Sequence, residues 1–233
     1  MAHKPDFLLD RLLYRDGLML VIDKPAGLAV HAGPSSKQGS DNLENYFDAL
    51  RFGFPKSPAL AHRLDRDTSG CLVLGRHPKA LRKLHRLFAD GKVEKTYWAI
   101  TKGVPEKLSG TINAPLAKQT RGSGWRVEIA DDGQQAVTTY RVLARGDGLA
   151  FIEARPKTGR THQIRVHLAS LGAPILGDPQ YGDLSDADRA HPMMLHARRI
   201  LIPLSKTKDP IAVAAPPQAE MIALLTKLGV EID

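Results

Sequence analysis

The chain has 233 residues and a single cysteine, Cys71. That length suffices for a sizeable core, and one cysteine excludes an intrachain disulfide framework, which fits a reducing compartment. The formal net charge is +8 and the sequence pI about 9.6, a balance suited to a polyanionic partner, nucleic acid first. Only 6% of the residues are aromatic, which argues against an extended base-stacking platform. Residues Met1 to Asp6 lack the apolar stretch of a signal peptide, and no run reaches membrane-spanning length. The expectation is a cytoplasmic, monomeric protein.

In chain order, Leu18 to Ile22 reads as a strand ending at Lys24-Pro25. Asp41 to Arg51 reads as a helix, with Asp41 and Glu44 as a capping pair. Cys71-Leu72-Val73-Leu74 is an apolar run that reads as a buried strand. Pro78 to Asp90 is a second helix, with Pro near its start and Gly91 as its stop. One face of it is apolar. The other carries Lys79, Arg82, Lys83, His85 and Arg86, a surface for a nucleic-acid backbone or simply a solvated face. Strand-like runs follow at Lys95 to Thr101, Trp125 to Ile129, Ala136 to Leu143 and Leu149 to Ala154. Thr161 to Leu171 reads as a helix with Ile164, Leu168 and Leu171 on one stripe. Met193 to Leu204 supplies one or two strands, and Pro217 to Leu228 a closing helix. Lys118 to Gly124 reads as a loop. Adjacent strands with interspersed helices predict an α+β fold.

Three segments carry chemistry. The first is Ala61-His62-Arg63-Leu64-Asp65-Arg66-Asp67-Thr68-Ser69-Gly70. It sets Asp65 between two arginines, on a loop that leads into a buried strand. Such a carboxylate stays ionised at neutral pH and can act as nucleophile or base. A run of this kind is otherwise a self-paired surface. The second is Glu94-Lys95-Thr96-Tyr97-Trp98-Ala99-Ile100, in which alternation puts Lys95, Tyr97 and Ala99 on one strand face. Tyr97 there is either a core residue or a ring for a base. The third, from Glu153 to Leu168, is a strand, a basic turn and a helix start. Lys157 and Arg160 beside a helix N-terminus suit a phosphate. Position 154 is Ala rather than Gly, so the turn is not a Walker loop.

Together with Lys24-Pro25-Ala26-Gly27-Leu28-Ala29-Val30-His31, these segments closely resemble the RluA family of RNA pseudouridine synthases. The resemblance rests on His-Arg-Leu-Asp-x-x-Thr-Ser-Gly at 62–70, Lys-x-Tyr-x-Ala at 95–99 and Gly-Arg-Thr-His-Gln-Ile-Arg-x-His-Leu at 159–168. It runs from about Leu18 to Leu204. Gly177-Asp178-Pro179-x-Tyr181-Gly182 also matches a family motif, read as mainly structural. Two departures stand out. Catalytic-type sequence begins too early for the preceding S4 domain of many relatives, so a single catalytic domain over 1–233 is expected. And Gly133-Gln134-Gln135-Ala136 replaces a Gly-Lys-x-Ala pattern, with one positive charge fewer.

The resemblance implies a mixed, mostly antiparallel sheet flanked by helices and loops around a central cleft. It implies isomerisation of uridine to pseudouridine in tRNA or in 23S-type rRNA stem-loops, with no cofactor and no metal. By the same resemblance Asp65 attacks ribose C1′ or base C6, or helps deprotonate the sugar, and Arg165 pairs with it. Arg63 fills the space of a flipped-out uridine and Tyr97 stacks on the uracil. His62, Arg66, Thr68, Lys157, Arg160, Ile164 and Leu168 contact substrate, with Leu72 a further apolar wall. Two rivals remain. One is a metal-dependent hydrolase built from His62, Asp65, His162, His167 and His196, against which the five-residue spacing of His162 and His167 counts. The other is a non-catalytic RNA-binding module of the same fold.

Overall fold

The computed structural model describes residues 3–32, 41–122, 124–205 and 207–232. In chain order the described residues form β1 (Leu12–Arg15), β2 (Met19–Lys24), a 3-10 helix (Leu43–Leu50), β3 (Ala59–Leu60), β4 (Ser69–Gly75) and α1 (Pro78–Ala89). Then come β5 (Glu94–Lys102), β6 (Ser109–Asn113), β7 (Leu116–Arg121), β8 (Gly124–Ile129), β9 (Val137–Gly146) and β10 (Leu149–Pro156). The chain ends with α2 (Gln163–Ser170), α3 (Asp186–Arg189), β11 (Leu195–Ile202), β12 (Ile211–Ala214) and α4 (Ala219–Lys227). The pairing is mostly antiparallel and the class α+β, as the pattern of strands and helices predicts. Two compact units, each discontinuous in sequence, make up the chain: Met1–Glu94 with Ala197–Pro216, and Lys95–His196 with Pro217–Asp233.

In the first unit the sheet order is β1-β2-β4-β11, with β3 on β4 and β12 on β11. All seven residues of β4 are buried, which is why this strand reads as a continuous apolar run rather than an alternation. Cys71 lies in it opposite Asp23, and burial pushes its thiol up to about 12. It is a packed core residue, without the thiolate that reactivity requires. The 3-10 helix is capped by Asn42, whose side chain accepts from the Glu44 N–H at 3.1 Å. Asp41, expected as the cap, instead accepts from the Tyr46 hydroxyl at 2.7 Å. In α1, His77 caps the N-terminus and Ala80 and Leu84 face the core. Lys79, Arg82, Lys83 and Arg86 are exposed.

In the second unit β5, β10, β9 and β6 form the sheet in that order. β7 and β8 form a separate hairpin, paired from Leu116↔Ile129 to Arg121↔Gly124. The predicted loop at 118–124 is therefore strand through Arg121; Ser123 lies outside the described residues. Lys118, Gln119 and Thr120 show no apolar alternation because they occupy an exposed or half-exposed hairpin strand. α2 packs against β8, β9 and β10, over a small core of Leu116, Val127, Ala136, Val166 and Tyr181. It begins two residues later than the sequence suggests, because His162 is left-handed at φ 54°.

Gly70 ends the Asp65 loop and begins β4. Its φ is +102°, and a Cβ there would overlap the Ala197 backbone. Only glycine meets both conditions. Gly70→Ala should destabilise the protein by at least about 2 kcal/mol, read as a lowered urea midpoint with an unchanged m-value.

Candidate active site

The Asp65 loop is held from below. Lys24, at the end of β2, has no exposed surface. Its Nζ donates to the carbonyls of Pro25 (2.7 Å), Leu28 (2.7 Å) and Arg66 (2.8 Å). Three acceptors match the three protons of an ammonium. Burial pulls its pKa down to about 7, against the raising influence of Asp67, Asp65 and Asp23. The stitch is reciprocal, since Arg66 Nε donates to the Gly27 carbonyl at 3.0 Å. The Thr68 N–H closes the turn onto the Asp65 carbonyl at 3.2 Å. Asp65 itself is half-buried, Arg63 and Arg66 are exposed, and Thr68 is buried.

His62 is part of the framework. Its Nε2 accepts from the Val73 N–H at 3.0 Å, and its ring stacks on Phe88 at 4.5 Å. Leu72 is fully buried in β4. In this unit the structure thus brings together His62, Arg63, Asp65, Arg66 and Thr68, and adds Lys24, whose role the motif itself does not display.

In the second unit Tyr97 sits on β5 opposite Ala154. It is 9% exposed. Arg165 is 5% exposed and lies in α2. Asp178 grips it with two parallel hydrogen bonds, Nε to Oδ2 and Nη2 to Oδ1, both 2.8 Å. Oδ1 also accepts from the Gln180 and Tyr181 N–H groups at 2.8 and 3.0 Å. The guanidinium carbon stands 4.9 Å from the Tyr181 ring centroid. The Gly177–Gly182 motif is structural in a specific way: it builds the socket for Arg165. Ile164 and Leu168 are buried on the same helix.

The basic turn before α2 is fastened by Gln163. Its Oε1 accepts from the Thr158 hydroxyl (2.7 Å) and the Arg160 N–H (3.0 Å). Its amide donates to the Val137 carbonyl (3.0 Å) and the Thr138 hydroxyl (2.9 Å). Lys157 and Arg160 are exposed, and Arg160 Nε donates to the Gln135 carbonyl at 3.1 Å. Lys95 reaches the same turn from β5, donating to the Thr158 carbonyl at 3.1 Å. Burial alone lowers its pKa to about 8.

The histidines of the metal reading have other work. His167 bonds to the Thr138 hydroxyl and the Ala114 carbonyl at 2.9 and 3.0 Å. His162 bonds to the Tyr181 hydroxyl at 2.8 Å and stacks on Trp125. Among the described residues no three His, Cys, Asp or Glu side chains group as a metal site, and no helix is long and apolar enough to cross a membrane.

A family model described as RNA pseudouridylate synthase matches residues 18–170. The chain is 49% identical over 211 residues to an RNA pseudouridine synthase of Zymomonas mobilis, covering 90% of this chain and 94% of that protein. It is 36% identical to ribosomal large subunit pseudouridine synthase C of Haemophilus ducreyi, over 96% of this chain and 71% of that one. Among solved structures, human RNA pseudouridylate synthase domain containing 4 superposes with a TM-score of 0.81 at 28% identity, covering 98% of this chain and 96% of that chain.

Asp178→Asn removes a charge that is paired with a buried guanidinium. It should cost about 3–5 kcal/mol of stability, measured by urea unfolding. Arg165→Met with Asp178→Asn, which removes both charges, should recover part of that loss.

Proposed function

The chain belongs to the RNA pseudouridylate synthase family, RluA type, and from that premise we propose that it isomerises particular uridines in large-subunit rRNA or tRNA stem-loops, with Asp65 as the reacting carboxylate. The reaction breaks the N1–C1′ bond, turns the uracil, and joins C5 to C1′. C5 loses a proton and N1 ends with one, so no atom is gained or lost.

The observation that carries this reading is the way Asp65 is presented. It stands half-buried on a loop whose backbone is tied down at Arg66 by the Lys24 ammonium and at Thr68 by a turn bond. A carboxylate held by a rigid scaffold loses little freedom on reaction. Three routes use it: attack at ribose C1′, attack at C6 of the base, or removal of a sugar proton. A uridine inside a stack is out of reach, so the nucleotide flips out at a cost of roughly a few kcal/mol. The exposed Arg63 is of a length to fill the vacated space. Tyr97 offers its ring to the uracil and its hydroxyl to the proton leaving C5. Arg165 supplies a cation whose direction is fixed by Asp178. The rRNA substrate is favoured first because the Haemophilus relative is named for the large ribosomal subunit.

His62, Thr68 and Leu168 are assigned supporting roles under the site, in keeping with their partners and burial. The binding-module alternative gives Asp65 no work. Turnover beyond one product per protein separates the two readings.

The test is to incubate the purified protein with unmodified rRNA and tRNA transcripts and map pseudouridine at single-nucleotide resolution. We expect conversion at a small number of loop uridines, with several turnovers. Conversion of none, with RNA bound, would favour the binding module. Tyr97→Phe keeps the ring and removes the hydroxyl. It should lower kcat by about 100-fold or more while leaving RNA affinity within a few-fold; an unchanged kcat would restrict Tyr97 to stacking.

A further inference from the structure

Lys95 is an unusual residue for its position. It lies two places before Tyr97 in β5, on the same strand face, about 6.8 Å along the strand. Its stem is half-buried. Among the described residues its hydrogen bond is to the Thr158 carbonyl, and no carboxylate pairs with it. A desolvated cation with one neutral acceptor is an unfavourable arrangement for stability alone. Two of its three N–H donors are left for another acceptor.

Gly159 points the same way by an independent route. Its φ does not lie in the left-handed range, so the backbone does not call for glycine. A Cβ added at Gly159 would meet one group within 4 Å, the Lys95 Nζ at 3.9 Å. A glycine here leaves the approach to the ammonium uncovered. Lys157 and Arg160 stand exposed on either side of it in the turn, so two further cations flank it. Gln163 holds the turn in place by four hydrogen bonds, which makes the opening a fixed feature.

We propose that Lys95, approached past Gly159, binds one phosphate of the RNA strand next to the nucleotide that Tyr97 faces. This rests on the RNA reading above and adds a contact to it. Lys157 and Arg160 draw the backbone in, and Lys95 fixes its register. An anion is the ligand that satisfies a partly desolvated ammonium, and a phosphodiester is the anion that every RNA substrate carries. The spacing to Tyr97 is of the size that separates a base from a neighbouring phosphate.

The test compares wild type with Lys95→Met, Lys95→Arg and Gly159→Ala, using unmodified large-subunit rRNA transcript as the probe. For each variant, RNA affinity is measured against salt and pseudouridine formation against RNA concentration. Lys95→Met should raise the dissociation constant and KM at least tenfold, with kcat within about threefold. It should lower the log–log salt slope by about 0.7–0.9, the value of one phosphate contact. Lys95→Arg should restore that slope. Gly159→Ala, which keeps the charge and places a methyl group in contact with it on the side of approach, should raise KM without shifting the melting temperature. Because Lys95→Met removes a partly desolvated charge with one neutral acceptor, its melting temperature should equal or exceed that of wild type. A Lys95→Met protein that is folded and keeps the wild-type salt slope would overturn the proposal. If that variant fails to fold, an unchanged KM for Gly159→Ala would do the same. Failure of wild type to form pseudouridine would overturn the catalytic reading instead, and the salt slope would still report on Lys95.

Discussion

A fully buried ammonium organises the loop on which the chemistry depends. Removing the Lys24 charge from water is strongly unfavourable, and three backbone carbonyls at 2.7–2.8 Å offset it. Two of those carbonyls belong to the turn after β2 and the third to Arg66, so one side chain sets the distance between two loops. The acids nearby, Asp67, Asp65 and Asp23, work against the effect of burial. The Asp65 loop therefore owes its shape to a residue some forty positions earlier. An apolar replacement of equal volume would fill the space and leave three carbonyls without donors.

The second unit uses the same physics in another form. α2 is buried along Gln163, Ile164, Arg165, Val166, His167 and Leu168, although three of these are polar. Each polar member has its partners. Gln163 holds the basic turn, Arg165 has the Asp178 carboxylate, and His167 has Thr138 and Ala114. The Thr138 hydroxyl links Gln163 to His167. In a low-dielectric interior such a network is strong when complete and costly when broken. It positions the helix by direction as well as by contact. Lys95 differs from all of these, since among the described residues its ammonium makes one hydrogen bond, to the Thr158 carbonyl.

Much of the architecture could be read from the chain. β4, α1, β5 and β10 followed from an apolar run, an amphipathic period and strand alternation, because each buries what its pattern displays. Most of β7 reads as a loop, since its residues 118–121 are polar and its stability comes from pairing with β8, which the sequence does show as a strand from Trp125. The stripe expected on α2 was Ile164, Leu168 and Leu171, whereas the helix is buried almost all round. Periodicity cannot show that, because the partners of Arg165 and His167 come from Asp178, Thr138 and Ala114, far along the chain. The motif at 62–70 located Asp65, and the motif at 177–182 matched without disclosing that Asp178 is the ligand of Arg165. Lys24 and Lys95 were both visible as letters in motifs. What they do depends on burial and on carbonyls that only the folded backbone supplies.

The most direct test of the account is the activity of Asp65→Asn on the RNA that wild type converts. The amide keeps the size and hydrogen-bonding outline of the carboxylate and removes its charge and nucleophilicity. The account predicts that this variant folds, binds the RNA with affinity close to that of wild type, and forms no pseudouridine at the mapped positions. Pseudouridine at those positions at a rate near that of wild type would contradict it, and would move the chemistry away from the loop that Lys24 holds in place.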